Sequence, residues 1–167
     1  MTIAEFDQLP PDEKKELLFK CCGSTAWVKG MMGIFPVQDL IDLFENAEEQ
    51  WYDCNPADWL DAFEHHPKIG DLSSIQKKFS KTAIYTSAEQ SGVDDTPQEV
   101  LEELIKYNQE YEENFGYIFI VYATGKSAEE MLDILKSRID NDPHEELLIA
   151  AGEQDRITKN RLQKLFE

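Results

Sequence analysis

A histidine at the end of a predicted helix is the first candidate for chemistry. His66 stands immediately before Pro67, and a proline disfavours the helical conformation in the residue before it. The imidazole can therefore project from a helix end into a cleft, where it would exchange protons at neutral pH. Alternatively, His65 and His66 are capping or surface residues. Adjacent histidines diverge and no HExxH motif or cysteine partner follows, so the pattern predicts no metal site.

A run of small polar residues is the second candidate: Thr86, Ser87, Ala88, Glu89 and Gln90. Together they offer hydroxyl, carboxylate and amide groups to one small polar ligand. The same run matches a capping box, since Thr86 is followed three residues later by Glu89. A helix capped there would run for only about one turn before Gly92, with almost nothing apolar to bury. Both interpretations stay open.

Arg161 is the third candidate, because it borders the inward face of the last predicted helix. It follows Thr158 by three residues and precedes Leu165 by four. An inward guanidinium requires an acidic partner, and its planar fork suits bidentate binding of a carboxylate. The alternatives are a structural salt bridge to one of the 34 acidic residues, or an aliphatic stem lying along apolar surface.

Composition indicates a folded, strongly acidic chain. Of the 167 residues, 41% are hydrophobic and 11% aromatic, enough for a real core in one domain over residues 1–167. Thirty-four acidic against 16 basic residues give a formal charge of −18. This charge repels nucleic acids and anionic membranes. The sequence therefore predicts neither as a partner and requires a local cationic site for an anionic substrate.

The cysteine content and the two ends of the sequence indicate the cellular compartment of the protein. Cys21, Cys22 and Cys54 form no CxxC pair and make a poor disulfide framework, so a reducing compartment fits best. The first residues lack a signal-peptide pattern, and the last three are not a peroxisomal tripeptide. The longest apolar run, residues 117–123, is far shorter than the ~20 residues of a membrane span. We expect a soluble cytoplasmic protein.

Helical signals run along nearly the whole chain. Capping boxes, proline starts and glycine stops predict a short first helix after Thr2 and further helices over residues 11–22, 24–32, 36–52, 55–66, 97–115, 127–139 and from 142 onward. One more short helix is plausible over residues 72–79, within a polar stretch whose irregular pattern is typical of a functional loop. The expected fold is all-α, a single domain of roughly eight to ten helices.

Two segments carry more specific expectations. In the helix over residues 36–52, apolar residues recur at three-and-four spacing, which predicts a buried stripe: Val37, Leu40, Ile41, Phe44 and Ala47. Residues 117–123 are β-branched and aromatic, as in a buried strand. Because no second strand is available to pair with them, we expect a buried extended segment or a buried helix.

Five motifs in order resemble one known family. They are His66-Pro67-x-Ile69-Gly70, Ser87-Ala88-Glu89-Gln90 with Gly92, the run Asn114-Phe115-Gly116-Tyr117-Ile118-Phe119-Ile120, the run Ala123-Thr124-Gly125-Lys126-Ser127, and Ile157-Thr158 with Arg161-Leu162. Over about residues 2–166, the sequence resembles 2-oxo-4-hydroxy-4-carboxy-5-ureidoimidazoline (OHCU) decarboxylases. These enzymes complete the route from urate to allantoin.

The resemblance implies specific roles. His66 would be the catalytic acid/base and Glu89 its carboxylate partner. The substrate would be bound by Pro67, Thr86, Ser87, Ala88, Gln90, Tyr117, Ile118, Phe119, Ile120, Val121 and Arg161, the segment 117–121 acting partly through its backbone. The family is all-helical, needs no cofactor or metal, and is usually homodimeric. The implied product is (S)-allantoin.

The sequence departs from the family at a few positions. Many members have proline where Ile118 stands, serine in place of Thr86, and arginine in place of Lys68, so the pocket's detail differs more than the reaction. One alternative function is a non-enzymatic helical adaptor whose acidic surface meets a basic partner. Another is a hydrolase acting on 5-hydroxyisourate. Such hydrolases are typically small β-sandwiches, and the helical pattern argues against them.

Overall fold

The computed structural model describes residues 1–68 and 96–167. Over these ranges the chain forms helices and no strand: α1 (Ile3–Asp7), α2 (Pro11–Cys22), α3 (Thr25–Ile34), α4 (Leu40–Tyr52), α5 (Pro56–Glu64), α6 (Gln98–Phe115), α7 (Ala128–Arg138) and α8 (Pro143–Leu165). The all-α prediction is confirmed. The helix predicted over residues 72–79 lies outside the described residues. None of the described helices is long and apolar enough to cross a bilayer.

Local capping determines most helix starts. Thr2, Asn55 and Ser127 each form a capping box at the start of α1, α5 and α7. Ser24 caps α3 by accepting from the Trp27 backbone N–H. Because these side chains satisfy backbone donors that have no partner within the helix, the boundaries could be predicted from sequence.

The predicted stripe of α4 is only partly confirmed: Val37 and Ala47 are buried, Leu40 and Phe44 are half-buried, and Ile41 is exposed. Ile41 is 68% exposed, whereas Leu43, Ala47 and Trp51 are buried. The helix starts at Leu40 rather than at residue 36, because the Asp39 side chain accepts from two N–H groups of the first turn. The buried side chains then follow an i, i+4, i+8 spacing, and Ile41 faces away from it.

The described chain divides into two compact units, which we call unit 1 (residues 1–66 and 147–167) and unit 2 (residues 67–146). A single domain over residues 1–167 stays a prediction.

In unit 1, Trp27, Trp51 and Trp59 are buried, and each indole N–H donates to a backbone carbonyl at 2.9 Å. The indoles thus fill the core without leaving a buried donor unpaired. The ammonium of Met1 donates to the carbonyl of Leu165 at 3.2 Å.

Unit 2 is built around α6 and α7. Its core comprises Leu101, Leu104, Tyr111, Phe119, Val121, Ala128, Met131, Leu132, Leu135 and Ile139. Helix α6 ends at Gly116, whose φ of +80° is the left-handed conformation that favours glycine. Residues 118–123, which follow, are neither helix nor strand, yet Phe119, Ile120 and Val121 are buried. Of the two predicted alternatives, the helical one is wrong.

Candidate functional site

His66 lies at a broken helix end, as predicted. Helix α5 ends at Glu64 with His65 as its C-cap, and Pro67 prevents a further helical turn. The His66 backbone N–H still donates to the carbonyl of Phe63 at 3.3 Å. His65 accounts for the capping alternative, because its ring Nδ1 lies 2.8 Å from the Asp61 carbonyl oxygen. The half-buried His66 side chain points elsewhere.

The His66 ring contacts a buried amide. Its Nε2 lies 2.5 Å from Oε1 of Gln154, a side chain with no exposed surface. The Gln154 amide nitrogen donates to Thr158 Oγ1 at 3.1 Å and towards the carbonyl oxygen of Cys22 at 3.5 Å. Two polar side chains, Gln154 and Thr158, together with one backbone carbonyl thus hold the imidazole in place.

The carboxyl end of α2 is the anchor of this network. Gly23 ends α2 at a φ of +85°, and its N–H donates to the Phe19 carbonyl. The carbonyls of Cys21 and Cys22 belong to the last turn and have no partner within the helix. They accept instead from Arg161 at 3.1 Å and from Gln154. Helix α8 therefore brings two side chains to one end of α2.

Arg161 is half-buried and carries its charge without an acidic partner among the described residues. None of the ion pairs over residues 1–68 and 96–167 includes it. The partial negative charge at the end of α2 attracts its guanidinium, but no carboxylate of residues 1–68 or 96–167 neutralises it. The structural salt bridge considered above has no counterpart among these pairs. An anionic ligand would supply the missing charge.

The neighbouring thiols are poor nucleophiles. Burial raises the pKa of the Cys22 thiol to about 12 and that of the Cys21 thiol to about 11. The thiolate is the reactive form of cysteine, and it is scarce at neutral pH when the pKa is so high. Better candidates for chemistry in this part of unit 1 are the polar groups of His66, Gln154, Thr158 and Arg161.

In unit 2, a buried ion pair holds the predicted substrate segment. Arg138 is 6% exposed, and its Nη1 donates to the carbonyl of Ile120 at 2.8 Å. Its Nε and Nη2 donate to Oε1 of Glu146 at 2.8 and 2.5 Å, and its guanidinium lies 4.7 Å from the centre of the Phe119 ring. One side chain thereby fixes a backbone carbonyl and an aromatic ring of residues 117–121.

Glu146 is fully buried and completes this second network. It accepts from the Tyr111 hydroxyl at 2.5 Å and from Asn141 Nδ2 at 2.9 Å. Every acceptor bond comes from a side chain packed within unit 2, so the carboxylate and the guanidinium it binds are both satisfied. The irregular segment after α6 gains rigidity from these bonds, although it is neither helix nor strand.

The predicted site residues fall into three groups. His66 and Arg161 are brought to the same end of α2 within unit 1. Residues 117–121 lie in unit 2, as does the exposed Pro67. The others lie outside the described residues: Thr86, Ser87, Ala88, Glu89 and Gln90.

Sequence analysis missed Gln154, and it quoted Thr158 within a motif without giving it a supporting role. Gln154 and Thr158 precede Arg161 by seven and three residues, so polar side chains on an otherwise apolar helix face could have revealed them. No comparable sequence pattern pointed to Arg138 or Glu146. Among the described residues, no group of three or more His, Cys, Asp or Glu side chains could hold a metal ion.

Comparison with known proteins gives consistent matches. The model of the OHCU decarboxylase family matches residues 7–163. The uric acid degradation bifunctional protein TTL of Arabidopsis thaliana is 38% identical over 149 residues, which cover 87% of this chain and 45% of that protein. The uric acid degradation bifunctional protein of Bacillus sp. (strain TB-90) is 23% identical over 167 residues, covering 99% of this chain and 32% of that protein. The chain thus spans less than half the length of these curated relatives.

Solved structures agree with these matches. A crystal structure of OHCU decarboxylase in the presence of (S)-allantoin superimposes with a TM-score of 0.73 at 37% identity, covering 91% of this chain and 97% of that one. A crystal structure of (S)-allantoin synthase superimposes with a TM-score of 0.71 at 14% identity, covering 98% and 54% of the two chains. Because its identity is only 14%, the second match supports a similar fold and nothing more.

Proposed function

Because the chain belongs to the OHCU decarboxylase family, we propose that it converts OHCU to (S)-allantoin and CO2. The observation that carries the proposal lies at the end of α2. There α8 presents Gln154, bound to His66, and Arg161, whose guanidinium forms no ion pair with the acidic residues that the structure describes. A proton-exchanging ring and a carboxylate-binding fork within one unit suit a small acidic substrate.

The reaction breaks the bond between the ring carbon and the carboxylate. CO2 leaves, and the electron pair of that bond passes into the adjoining carbonyl and nitrogen system of the substrate ring. The ring nitrogen takes up a proton, and the hydroxyl on the decarboxylated carbon loses its proton to become a carbonyl. A proton added to the neighbouring, ureido-bearing carbon then gives allantoin. Because the substrate accepts these electrons itself, the enzyme needs no pyridoxal or thiamine to do so. Its tasks are to orient the carboxylate, stabilise the charge moving into the ring, and deliver the proton to one face.

The proposed roles follow this division of tasks. His66 and Glu89 exchange protons with the reacting centre and its hydroxyl. Arg161 binds the substrate anion through its fork. Backbone groups of residues 117–121, together with Pro67, Thr86, Ser87, Ala88 and Gln90, line the pocket and bind the ureido and ring oxygens. Delivery of the proton from one face gives the (S) enantiomer.

Local positive charge is essential to this assignment, because the chain as a whole carries a formal charge of −18. An anionic substrate is repelled at long range, but salt screens the repulsion beyond about 8 Å under physiological conditions. Within that distance, the Arg161 guanidinium attracts the carboxylate of the substrate. Capture by one local cation is therefore compatible with an acidic surface.

The test follows the optical activity of allantoin. OHCU is generated in situ from urate by the upstream enzymes, and circular dichroism is recorded with and without this chain. We expect faster appearance of one enantiomer, and near-complete loss of the effect in folded His66→Ala and Glu89→Ala variants. If allantoin appears at the spontaneous rate and as a racemate, the chain is not a decarboxylase and the adaptor alternative gains support.

We also propose that the chain forms a homodimer, as the resemblance implies. Sedimentation equilibrium over a range of concentrations measures the mass directly, and a monomer at all concentrations would contradict the homodimer.

A cytoplasmic location is proposed from the free thiols of Cys21, Cys22 and Cys54, which persist in a reducing compartment. Fractionation of expressing cells tests the location.

A further inference from the structure

Gln154 is a buried polar side chain whose role the proposed reaction does not yet explain. It is 0% exposed, and both ends of its amide are engaged. The oxygen faces His66 Nε2 at 2.5 Å, while the nitrogen faces Thr158 Oγ1 at 3.1 Å and the Cys22 carbonyl oxygen at 3.5 Å. A buried amide is stable only when such bonds satisfy it.

The Cys22 carbonyl determines which end of the amide faces His66. A carbonyl oxygen accepts hydrogen bonds and cannot donate them, so it requires the NH2 group of Gln154 on its side. The reversed amide would place two acceptor oxygens against each other. Because this carbonyl lies in the last turn of α2, it also has no intrahelical partner. The Gln154 oxygen therefore faces the imidazole.

The orientation of the amide in turn determines the tautomer of the imidazole. An amide oxygen only accepts, so the ring nitrogen opposite it must carry a proton. We propose that Gln154 is a positioning residue that holds the neutral His66 ring in its Nε2–H tautomer, with the lone pair on Nδ1. The proposal rests on the proposed function for its kinetic consequence, but its structural consequence is independent of activity.

The kinetic consequence concerns the atom that exchanges the proton. A proton taken up at Nδ1 gives the imidazolium, whose Nε2–H stays bonded to Gln154. Release of the proton from Nδ1 restores the neutral ring. The Gln154 carbonyl dipole also stabilises the positive charge while the ring holds both protons. Gln154 thus acts on the reaction through His66 and needs no contact with the substrate.

Thr158 supports Gln154 one turn further along α8. It is 3% exposed, and its hydroxyl oxygen accepts from the Gln154 NH2 group. Valine has nearly the same shape but lacks the hydroxyl, whereas serine keeps the hydroxyl and loses a methyl group. The pair Thr158→Val and Thr158→Ser therefore separates the hydrogen bond from the packing.

The structural test is 15N NMR of the histidine rings at a pH where they are neutral. Three histidines are present, and a His66→Asn variant assigns the signals of His66. We expect a protonated Nε2 whose proton is protected from solvent exchange. This signal should be lost in Gln154→Met and retained in Gln163→Met, a control at an exposed position of the same helix. A wild-type ring protonated at Nδ1 instead would overturn the proposal.

The kinetic test compares the same variants in the allantoin assay. We expect Gln154→Met to lower kcat roughly tenfold or more, the order expected when a group that orients a functional histidine is removed, with KM little changed. Gln163→Met should match the wild type. An unaltered kcat in Gln154→Met would refute the positioning role, and an equal change in KM and kcat with intact NMR signals would do the same.

If Gln154→Met does not fold, the variants Thr158→Val and Thr158→Ser test the same network. We expect Thr158→Val to lower kcat in the same direction by a smaller factor and Thr158→Ser to restore it. Equal activity of the two variants would contradict the network. An inactive wild type would refute the proposed function alone, since the Nε2–H signal would still decide whether Gln154 fixes the ring.

Discussion

At the scale of single residues, Arg161 shows how one side chain can serve two purposes. Its Nη1 donates to the Cys21 carbonyl, which fixes the guanidinium without neutralising it. The remaining donors of the fork are suited to a carboxylate in a bidentate arrangement. Both purposes depend on the planar geometry of the group as well as on its charge.

We therefore expect Arg161→Lys to raise KM for OHCU. An ammonium keeps the charge but offers no fork, and a loss of about 1.5–3 kcal/mol from a charged hydrogen bond corresponds to a roughly 10- to 100-fold change. Steady-state kinetics in the allantoin assay measure it, with Lys164→Arg at an exposed position of α8 as the control. Unchanged KM and kcat in Arg161→Lys would show that the Arg161 fork does not bind the substrate.

Cys22 offers a residue-scale prediction about pH. Burial raises the pKa of its thiol from 9.0 to about 12, so between these values the folded chain keeps a proton that the unfolded chain has lost. Stability must then fall as the pH rises above 9, by at most about 1.4 kcal/mol per pH unit from this thiol. We expect Cys22→Ala to flatten the decline in the free energy of unfolding between pH 9 and 11. Urea titrations at several pH values test this, and equal slopes would argue against it.

At the scale of elements, the turn between α2 and α3 positions the α2 end of the candidate site. Gly23 has a positive φ, and a Cβ added to it would lie 3.0 Å from His65 Cβ and 3.4 Å from the Ala62 carbonyl oxygen. The end of α2 and the end of α5 thus approach each other where no side chain fits between them. Gly116 has a similar φ, but a Cβ there would meet nothing within 4 Å.

This pair of glycines gives a matched experiment. Both Gly23→Ala and Gly116→Ala should lose about 1–2 kcal/mol of unfolding free energy through left-handed strain. Gly23→Ala should lose more, because its methyl group also displaces His65. It should lower kcat as well, since His66 is the next residue. Denaturant titrations and the allantoin assay are the measurements; equal losses from the two variants would speak against the close approach at Gly23.

The elements were largely predictable, whereas the site was only partly so. Caps such as Thr2, Asn55 and Ser127 act within one helical turn, so the sequence alone reveals them. Gln154 and His66 stand 88 residues apart, and only packing brings them together. The exposed Ile41 shows the same limit on a smaller scale: the spacing was helical, but packing buries the face of Leu43, Ala47 and Trp51 and leaves Ile41 on the opposite side.

At the scale of the whole molecule, charge is the dominant property. A formal charge of −18 over 167 residues creates repulsion that opposes the compact state. The described ion pairs relieve it locally, as between Lys159 and its acidic neighbours Glu48 and Asp155. With 34 acidic and 16 basic residues, 18 acidic side chains have no basic residue of their own to pair with, and only solvent ions screen their repulsion.

We therefore expect the chain to become more heat-stable as sodium chloride rises from 10 to about 150 mM, over which the screening length falls from about 30 to about 8 Å. A gain of about 1 kcal/mol would raise Tm by about 2–4 °C for a chain of this size. Differential scanning calorimetry measures the change. A Tm that is constant or falls with salt would show that attractive ion pairs outweigh the net repulsion.

The contact between Met1 and Leu165 has a consequence for the order of the segments along the chain. Unit 1 consists of two stretches, residues 1–66 and 147–167, whose outer ends meet at this contact. A short linker from residue 167 to residue 1 would join them into one uninterrupted polypeptide. In a circular permutant that begins at residue 147, residues 67–146 become a removable carboxyl-terminal segment. Residues 147–167, the linker and residues 1–66 then form the shortest chain that reveals whether unit 1 folds autonomously.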